Sequence, residues 1–252
     1  IWYAIFTSIS AFCNAGFDLD GSYGPFSSLT HYADNPVIII TVVCLILTGG
    51  LGFLTWRDIR DHGLRFRRYS TQSKIIIIME LILVIVPSVI LFFAEYSNLP
   101  LGERILSSLL QAVTPRTAGF NSTDYNNFSD SGIVMTIILM LIGGAPGSTA
   151  GGMKVSRFVI LLKVTWAELR RTIHPRLVYS IKMGGRNVPP VVVGNVTRFF
   201  YLYMIVFSTL TLLISLTGLS MLDSMGIIAA CMSSVGPAFG IVGPTATYAD
   251  VS

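Results

Sequence analysis

The chain has 252 residues, 52% hydrophobic and 12% charged, with a mean hydropathy of +0.69 and a formal net charge of +4. Soluble domains carry about a quarter of their residues as charges, so the composition excludes an ordinary soluble enzyme or binding domain and implies several membrane-spanning segments. The basic residues flank apolar runs and form no separate basic domain, which argues against nucleic-acid binding.

Crossing a bilayer as a helix takes about 20 apolar residues. The opening run Ile1–Ala11 is shorter than that and ends at the phrase Asn14-Ala15-Gly16-Phe17-Asp18. It has no initiator Met and no charged leader, so it is not a signal peptide, and the chain is expected to begin inside a structural element. A full-length apolar segment follows, Pro36 to Trp56. A second runs from Ile75 to Ala94, and a short run Leu101–Val113 then leads to Thr117-Ala118-Gly119-Phe120-Asn121. A third span, Ser131 to about Trp166, is interrupted by Gly143-Gly144-Ala145-Pro146-Gly147-Ser148-Thr149-Ala150-Gly151-Gly152. The fourth, Arg198 to Leu219, precedes a short run Met221–Ser234 and a looser phrase, Ser234-Val235-Gly236-Pro237.

Charge fixes the sidedness. Cytoplasmic loops collect Lys and Arg. Arg57, Arg60, Arg65, Arg67, Arg68 and Lys74 lie in one loop, and Lys154, Arg157, Lys163, Arg170, Arg171, Arg176, Lys182, Arg186 and Arg198 lie in or beside another. The opposite side carries Asp18, Asp20, Asp34, Glu95, Glu103, Asp124, Asp130, Asp223 and Asp250, against only Arg104 and Arg116. All three glycine phrases fall on that acidic, outer side. The recurring order is span, half-length segment, glycine phrase, span, with one complete unit flanked by parts of two others. Four-fold closure needs a further unit before Ile1 and a span after Ser252, so the expectation is a fragment of a longer polypeptide.

A glycine repeated at one topological position marks a pore loop. Lacking Cβ, it lets backbones approach closely and carbonyls face an axis, and a ring of carbonyls can replace an ion's water shell. A half-helix entering from outside directs its negative C-terminus into the membrane, which favours a cation. The bland reading, Gly-Phe as a turn with an anchoring aromatic, fits one copy and fits three poorly. The Gly143–Gly152 stretch breaks a span, which is tolerated only where backbone is buried in protein or lines water. It reads as a gate below the filter, with a packing kink as the alternative. It is no phosphate-binding loop, because Met153 precedes Lys154 and Val155 follows.

The remaining polar residues carry little chemistry. Arg116 is expected to pair structurally with an outer acid, Asp124 or Glu103, with an entry barrier for cations as the alternative, and Glu80 to make an interfacial or interhelical pair. Asp18, Asp124 and Asp250 read as solvated outer acids that could concentrate cations. Cys13, Cys44 and Cys231 show no disulfide or zinc spacing. His31, His62 and His174 lie in loops without clustered ligands. No catalytic constellation is present.

The filter phrases, the broken span, and the segment Arg170-Arg171-Thr172-Ile173-His174-Pro175 followed by Lys182-Met183-Gly184-Gly185-Arg186 resemble the Trk/Ktr/HKT superfamily of potassium transporters, nearest to its bacterial TrkH and KtrB membrane subunits. The resemblance implies an all-α polytopic membrane protein with repeated span–pore-helix–span units around a pseudo-four-fold pore, broken in the third repeat. On that scheme residues 1–56 end repeat two, 57–74 form a cytoplasmic loop, 75–166 form repeat three, 167–197 a cytoplasmic linker, and 198–252 begin repeat four. The filter residues are Asn14, Ala15, Gly16, Thr117, Ala118, Gly119, Ser234, Val235 and Gly236, and Gly143–Gly152 is the gate. The resemblance further implies K+ as the transported ion, a homodimer in the plasma membrane, and a cytosolic ring of nucleotide-binding regulatory subunits on the basic face, with no organic cofactor in this chain. The first-repeat filter and the last span are not in the sequence, and Val235-Gly236-Pro237 departs from Ala-Gly-Phe. The rivals are an alternating-access secondary transporter, which predicts inverted repeats, and a scaffold without transport.

Overall fold

A computed structural model describes residues 1–22, 27–123, 128–174 and 180–243. The described residues are mostly helical: α1 (Trp2–Phe12), α2 (Pro36–Gly50), α3 (Phe53–His62), α4 (Thr71–Ala94), α5 (Leu101–Val113), α6 (Asp130–Leu141), α7 (Val155–Ile173), α8 (Pro190–Ser215) and α9 (Met221–Ser233). Two-residue strands β1 (Lys182–Met183) and β2 (Arg186–Asn187) pair antiparallel about Gly184 and Gly185.

The helix starts are written in the local sequence. Asn35 accepts from the amides of Val37 and Ile38 and is followed by Pro36, which has no amide to leave unpaired. Ser70, Ser129 and Ser220 cap α4, α6 and α9 by accepting an amide three residues on. By length and composition α4 and α8 can each cross a membrane, and α2 with α3 makes a third span only if the bent pair is counted as one. The 24 residues of α4 reach about 36 Å at 1.5 Å per residue, enough for a hydrocarbon core of about 30 Å.

Two expectations about spans need correction. The segment Pro36 to Trp56 is not one helix: α2 ends at Gly50, and α3 departs at 97° across Leu51 and Gly52. Gly52 has φ +77, a left-handed conformation that costs a side chain strain. The loops at 57–74 and 167–197 are also shorter than expected. α3 runs on to His62, α4 begins at Thr71, α7 continues to Ile173, and α8 begins at Pro190. The span Ser131–Trp166 consists of α6 and α7 with non-helical backbone between Leu141 and Val155.

Packing places the short helices alike. α1 packs on α2, α5 on α4 and α9 on α8; α5 also meets α2, and α9 also meets α6. One apolar cluster joins Ala11, Ile39, Val42, Val43, Ile46, Leu110 and Phe120. Another joins Ile137, Met140, Phe207, Ile227 and Phe239. Phe120 and Phe239 thus hold equivalent places: each follows a glycine phrase and is buried against the helix that leaves the preceding phrase, α2 or α6. In the third phrase Pro237 stands directly after the glycine, and the aromatic arrives two positions later.

Candidate functional site

The carbonyl ends of α1, α5 and α9 all feed into the glycine phrases. Each turn is closed by an amide donating five residues back: Ala15 to Ser10 O at 2.9 Å, Gly119 to Thr114 O at 3.2 Å and Val235 to Ala230 O at 2.9 Å. This is a Schellman-type helix end. The phrases share one backbone signature. Asn14, Thr117 and Ser234 have φ of 52°, 75° and 57°, and two residues on, Gly16, Gly119 and Gly236 have φ of 73°, 80° and 103°. Among the described residues the only other non-glycine with positive φ is Ser28. Thr117 is β-branched, so this conformation is a costly one to hold. Such strain persists only where the surroundings over-determine it, and it clusters at functional sites.

The phrases lie against one another. A Cβ placed on Gly16 would sit 2.4 Å from the Ala118 carbonyl oxygen, and one on Gly119 would sit 2.3 Å from the Val235 carbonyl oxygen. First touches second and second touches third, backbone to backbone, so no side chain fits at Gly16 or Gly119. Asn14 Oδ1 and Thr117 Oγ1 are buried with no hydrogen-bond partner among the described residues. Behind the second phrase, Thr114 Oγ1 donates to Phe120 O at 2.5 Å, and Asn121 N donates to Ser28 Oγ at 3.0 Å. Leu29 N donates to Asn121 O at 2.8 Å, which ties the loop after the first phrase to the second.

The Gly143–Gly152 stretch is ordered by its own backbone. Gly143 N donates to Met153 O at 2.9 Å, and Val155 N to Gly144 O at 3.1 Å, closing a neck around an isolated bridge between Ile142 and Met153. The body of the loop rests on three helix ends. Ala145 N donates to Gly50 O at 3.0 Å, Phe53 N donates to Gly147 O at 3.0 Å, and Thr149 Oγ1 donates to Phe12 O at 3.1 Å. A Cβ on Gly151 would lie 2.5 Å from Ser233 O. Phe12 and Ser233 end the helices that carry the first and third phrases. The nine phrase residues and the ten loop residues named from the sequence therefore gather in one region.

Arg116 does not face the outer mouth. It is buried and makes a two-pronged pair with Glu80, Nη1 to Oε1 at 3.0 Å and Nη2 to Oε2 at 2.7 Å. Glu103 is not its partner, and Asp124, like Asp250 and Arg176, lies outside the described residues. A Cβ on Gly50 would be 3.5 Å from Glu80 Oε1, so the pair joins the second phrase to the end of α2. Asp18 accepts from Asp20 N at 3.0 Å and so shapes its own loop; burial, with the Asp18 carboxylate beside it, raises the pKa of Asp20. Sequence reasoning missed Glu80 as partner of Arg116, and Glu95, which accepts from Ser129 N and Oγ beside the start of α6. A glutamate inside an apolar run was the signal for Glu80; Thr149 was placed in the loop, but nothing in the sequence marked its contact with Phe12 O. Among the described residues no group of His, Cys, Asp and Glu could hold a metal.

The family model for TrkH, described as a cation transport protein, matches residues 1–252. The potassium/sodium uptake protein NtpJ of Enterococcus hirae is 41% identical over 167 residues, 64% of this chain and 36% of that protein. The Ktr system potassium uptake protein B of Bacillus subtilis is 36% identical over 176 residues, 68% of this chain and 38% of that protein. The crystal structure of the potassium transporter TrkH from Vibrio parahaemolyticus superposes with a TM-score of 0.83 at 28% identity, covering 99% of this chain and 52% of that one. The chain thus spans about half, or less, of the length of the relatives it matches.

Proposed function

The chain belongs to the TrkH family of cation transport proteins, and on that premise we propose that it supplies three of four pore loops of a potassium uptake subunit. It is a transport protein and not an enzyme. The carrying observation is the backbone contact between the three phrases in one repeated conformation. Alternating handedness turns successive amides to one side of the chain and carbonyls to the other. Three such segments side by side form an arc of carbonyl oxygens able to replace the hydration shell of K+. A fourth loop, from a polypeptide of the relatives' length, closes the arc next to Gly236, where a Cβ would meet nothing within 4 Å.

Residues 1–56 then end repeat two, 75–166 form repeat three and 198–252 begin repeat four. The short helices α1, α5 and α9, of 11, 13 and 13 residues, are pore helices of about 16–20 Å, roughly half the hydrocarbon core. Ions enter from the acidic outer side, are coordinated by Asn14–Gly16, Thr117–Gly119 and Ser234–Gly236, and meet the 143–152 loop beneath. Hydrogen bonds to Phe12, Gly50 and Phe53 support its reading as a gate. The subunit sits in the plasma membrane as a homodimer, and a cytosolic nucleotide-binding regulatory ring docks on the basic face that includes Arg170, Arg171, Lys182 and Arg186.

Gly119→Ser tests the filter. The hydroxymethyl group overlaps Val235 O at a left-handed position, so the second and third loops must separate. Potassium over sodium preference in proteoliposome flux is expected to fall about tenfold, equivalent to ~1.4 kcal/mol. Unchanged preference in a correctly inserted variant removes the filter assignment.

A further inference from the structure

The segment after the α2–α3 bend has a surface that the pore reading does not use. α3 leaves α2 at 97°; on the membrane reading above, the basic residues after Trp56 put this bend on the cytoplasmic side, and α3 runs along that face. Phe53 is 76% exposed, and Leu54 and Trp56 are exposed on the same helix. The chain then folds back on itself. The Tyr69 hydroxyl donates to Gly63 O, Ser70 N donates to Asp58 Oδ2 at 2.9 Å, and Lys74 Nζ donates to Arg67 O at 2.8 Å. Hydrogen bonds from Ser70 and Ser73 hold the Asp58 carboxyl below its ordinary pKa, so it stays an acceptor in this turn. Arg57 is taken up by Asp61 at 3.6 Å. Arg60, Arg65, Arg67 and Arg68 are exposed and make no ion pair among the described residues. Leu64, 98% exposed, and Phe66 stand among them.

We propose that this knuckle, residues 53–68, is a docking surface for anionic phospholipid headgroups of the inner leaflet, and that its occupancy restrains the 143–152 loop. The proposal rests on the membrane reading above. Free guanidinium groups interleaved with apolar and aromatic side chains, on a helix parallel to the membrane, are the chemistry that seats at a headgroup–acyl boundary. Arginine also matches phosphate with two parallel donors. A soluble acidic partner would satisfy the arginines and leave Phe53, Leu54 and Leu64 in water. The mechanical link is direct: Gly50 and Phe53, on either side of the bend, exchange backbone hydrogen bonds with Ala145 and Gly147. A Cβ on Gly52 would sit 2.7 Å from Pro146 O, so α3 cannot tilt without carrying the loop.

The test uses the intact membrane subunit with every tryptophan other than Trp56 replaced by phenylalanine, Trp2 and Trp166 among them, leaving Trp56 as reporter. It is reconstituted in phosphatidylcholine vesicles containing either brominated phosphatidylglycerol or the same fraction of brominated phosphatidylcholine. Quenching by the anionic lipid is expected to be several-fold stronger at low salt and to weaken as ionic strength rises. The preference disappears in Arg60→Gln/Arg65→Gln/Arg67→Gln/Arg68→Gln and persists in the corresponding lysine variant. The glutamine variant also loses the dependence of flux on phosphatidylglycerol while keeping potassium over sodium discrimination. Equal quenching by the two lipids overturns the proposal, as does a preference that survives the glutamine variant. Displacement by inorganic phosphate assigns a general anion site and overturns the lipid commitment, and so does displacement by a soluble acidic polypeptide. Quenching reads the lipid site and ion discrimination reads the filter, so the two failures are separate.

Discussion

Two joints between consecutive helices, α2 to α3 and α6 to α7, are built differently. Between α2 and α3 the chain turns 97° within Leu51 and Gly52. Between α6 and α7 it takes residues 142–154, closed at the neck by its own backbone. The short break has no slack, and its geometry is set by one left-handed glycine and by what packs around it. The long break has its own fold and could move as a body about its neck. The two are stitched together through Ala145 N to Gly50 O and Phe53 N to Gly147 O. A loop that reads as a mobile gate therefore rests on a tight, closely packed corner of the backbone. The fixed corner sets where the loop rests, and the loop's remaining contacts set how firmly.

The largest expected effect comes from the brace behind the short break. Glu80 and Arg116 are buried together, next to Gly50. Removing one partner of a buried pair leaves an uncompensated charge and costs about 3–5 kcal/mol. Glu80→Gln should lower the unfolding temperature in detergent sharply, and Glu80→Gln/Arg116→Gln should cost less than the sum of the single variants. Additive losses would mean that the two residues stabilise separate parts of the structure.

A matched pair of glycines sharpens the contrast further. Gly52 and Gly147 both have a positive φ, +77 and +72, and Gly52 combines it with ψ 153. A Cβ on Gly52 meets Pro146 O at 2.7 Å, whereas one on Gly147 meets nothing within 4 Å. Gly147→Ala should cost only the conformational strain, about 1–2 kcal/mol. Gly52→Ala carries the strain of a φ/ψ pair essentially confined to glycine plus a backbone collision that pushes the loop away from α3. It should cost more stability and also change flux. Equal stability losses, or unchanged flux in Gly52→Ala, would show that the corner does not position the loop.

The sequence disclosed the glycine phrases, the short helices before them and the non-helical stretch between α6 and α7, because each leaves a local mark: a repeated glycine, an apolar run of half length, a Gly-Pro-Gly cluster. It did not disclose the bend at Gly52. The run from Pro36 to Trp56 is apolar throughout, and Gly49, Gly50 and Gly52 read equally well as small residues within a membrane helix. What meets the end of α2 is Ala145 N on Gly50 O and Thr149 N on Gly49 O, with Gly147 O taking Phe53 N across the bend, contacts between segments far apart in the chain. Arg116 was misplaced for a related reason. Charge sidedness put it at the outer mouth, but the Glu80 that holds it lies inside an apolar helix. The substitution of Phe239 for Phe120 was hidden by Pro237, which breaks the pattern in the chain while the aromatic still reaches the same place.

The smallest effect tests how lightly the long break is held. Thr149 is exposed, and its hydroxyl donates to Phe12 O at 3.1 Å, at the carbonyl end of the helix that carries the first phrase. One such hydrogen bond contributes about 0.5–1.5 kcal/mol net. Thr149→Val keeps the shape and removes the donor. If the loop occludes the path, the open population rises up to about tenfold, since ~1.4 kcal/mol is a factor of ten. Thr149→Ser keeps the donor and should leave flux unchanged. Both variants retain the clasp at Gly50 and Phe53, so stability should barely move. A rise in flux with Val and not with Ser identifies the hydroxyl as a latch on a loop that is otherwise fixed by the corner. If both variants leave flux as it was, the corner alone holds the loop, and shortening residues 143–152 becomes the change that must raise conduction.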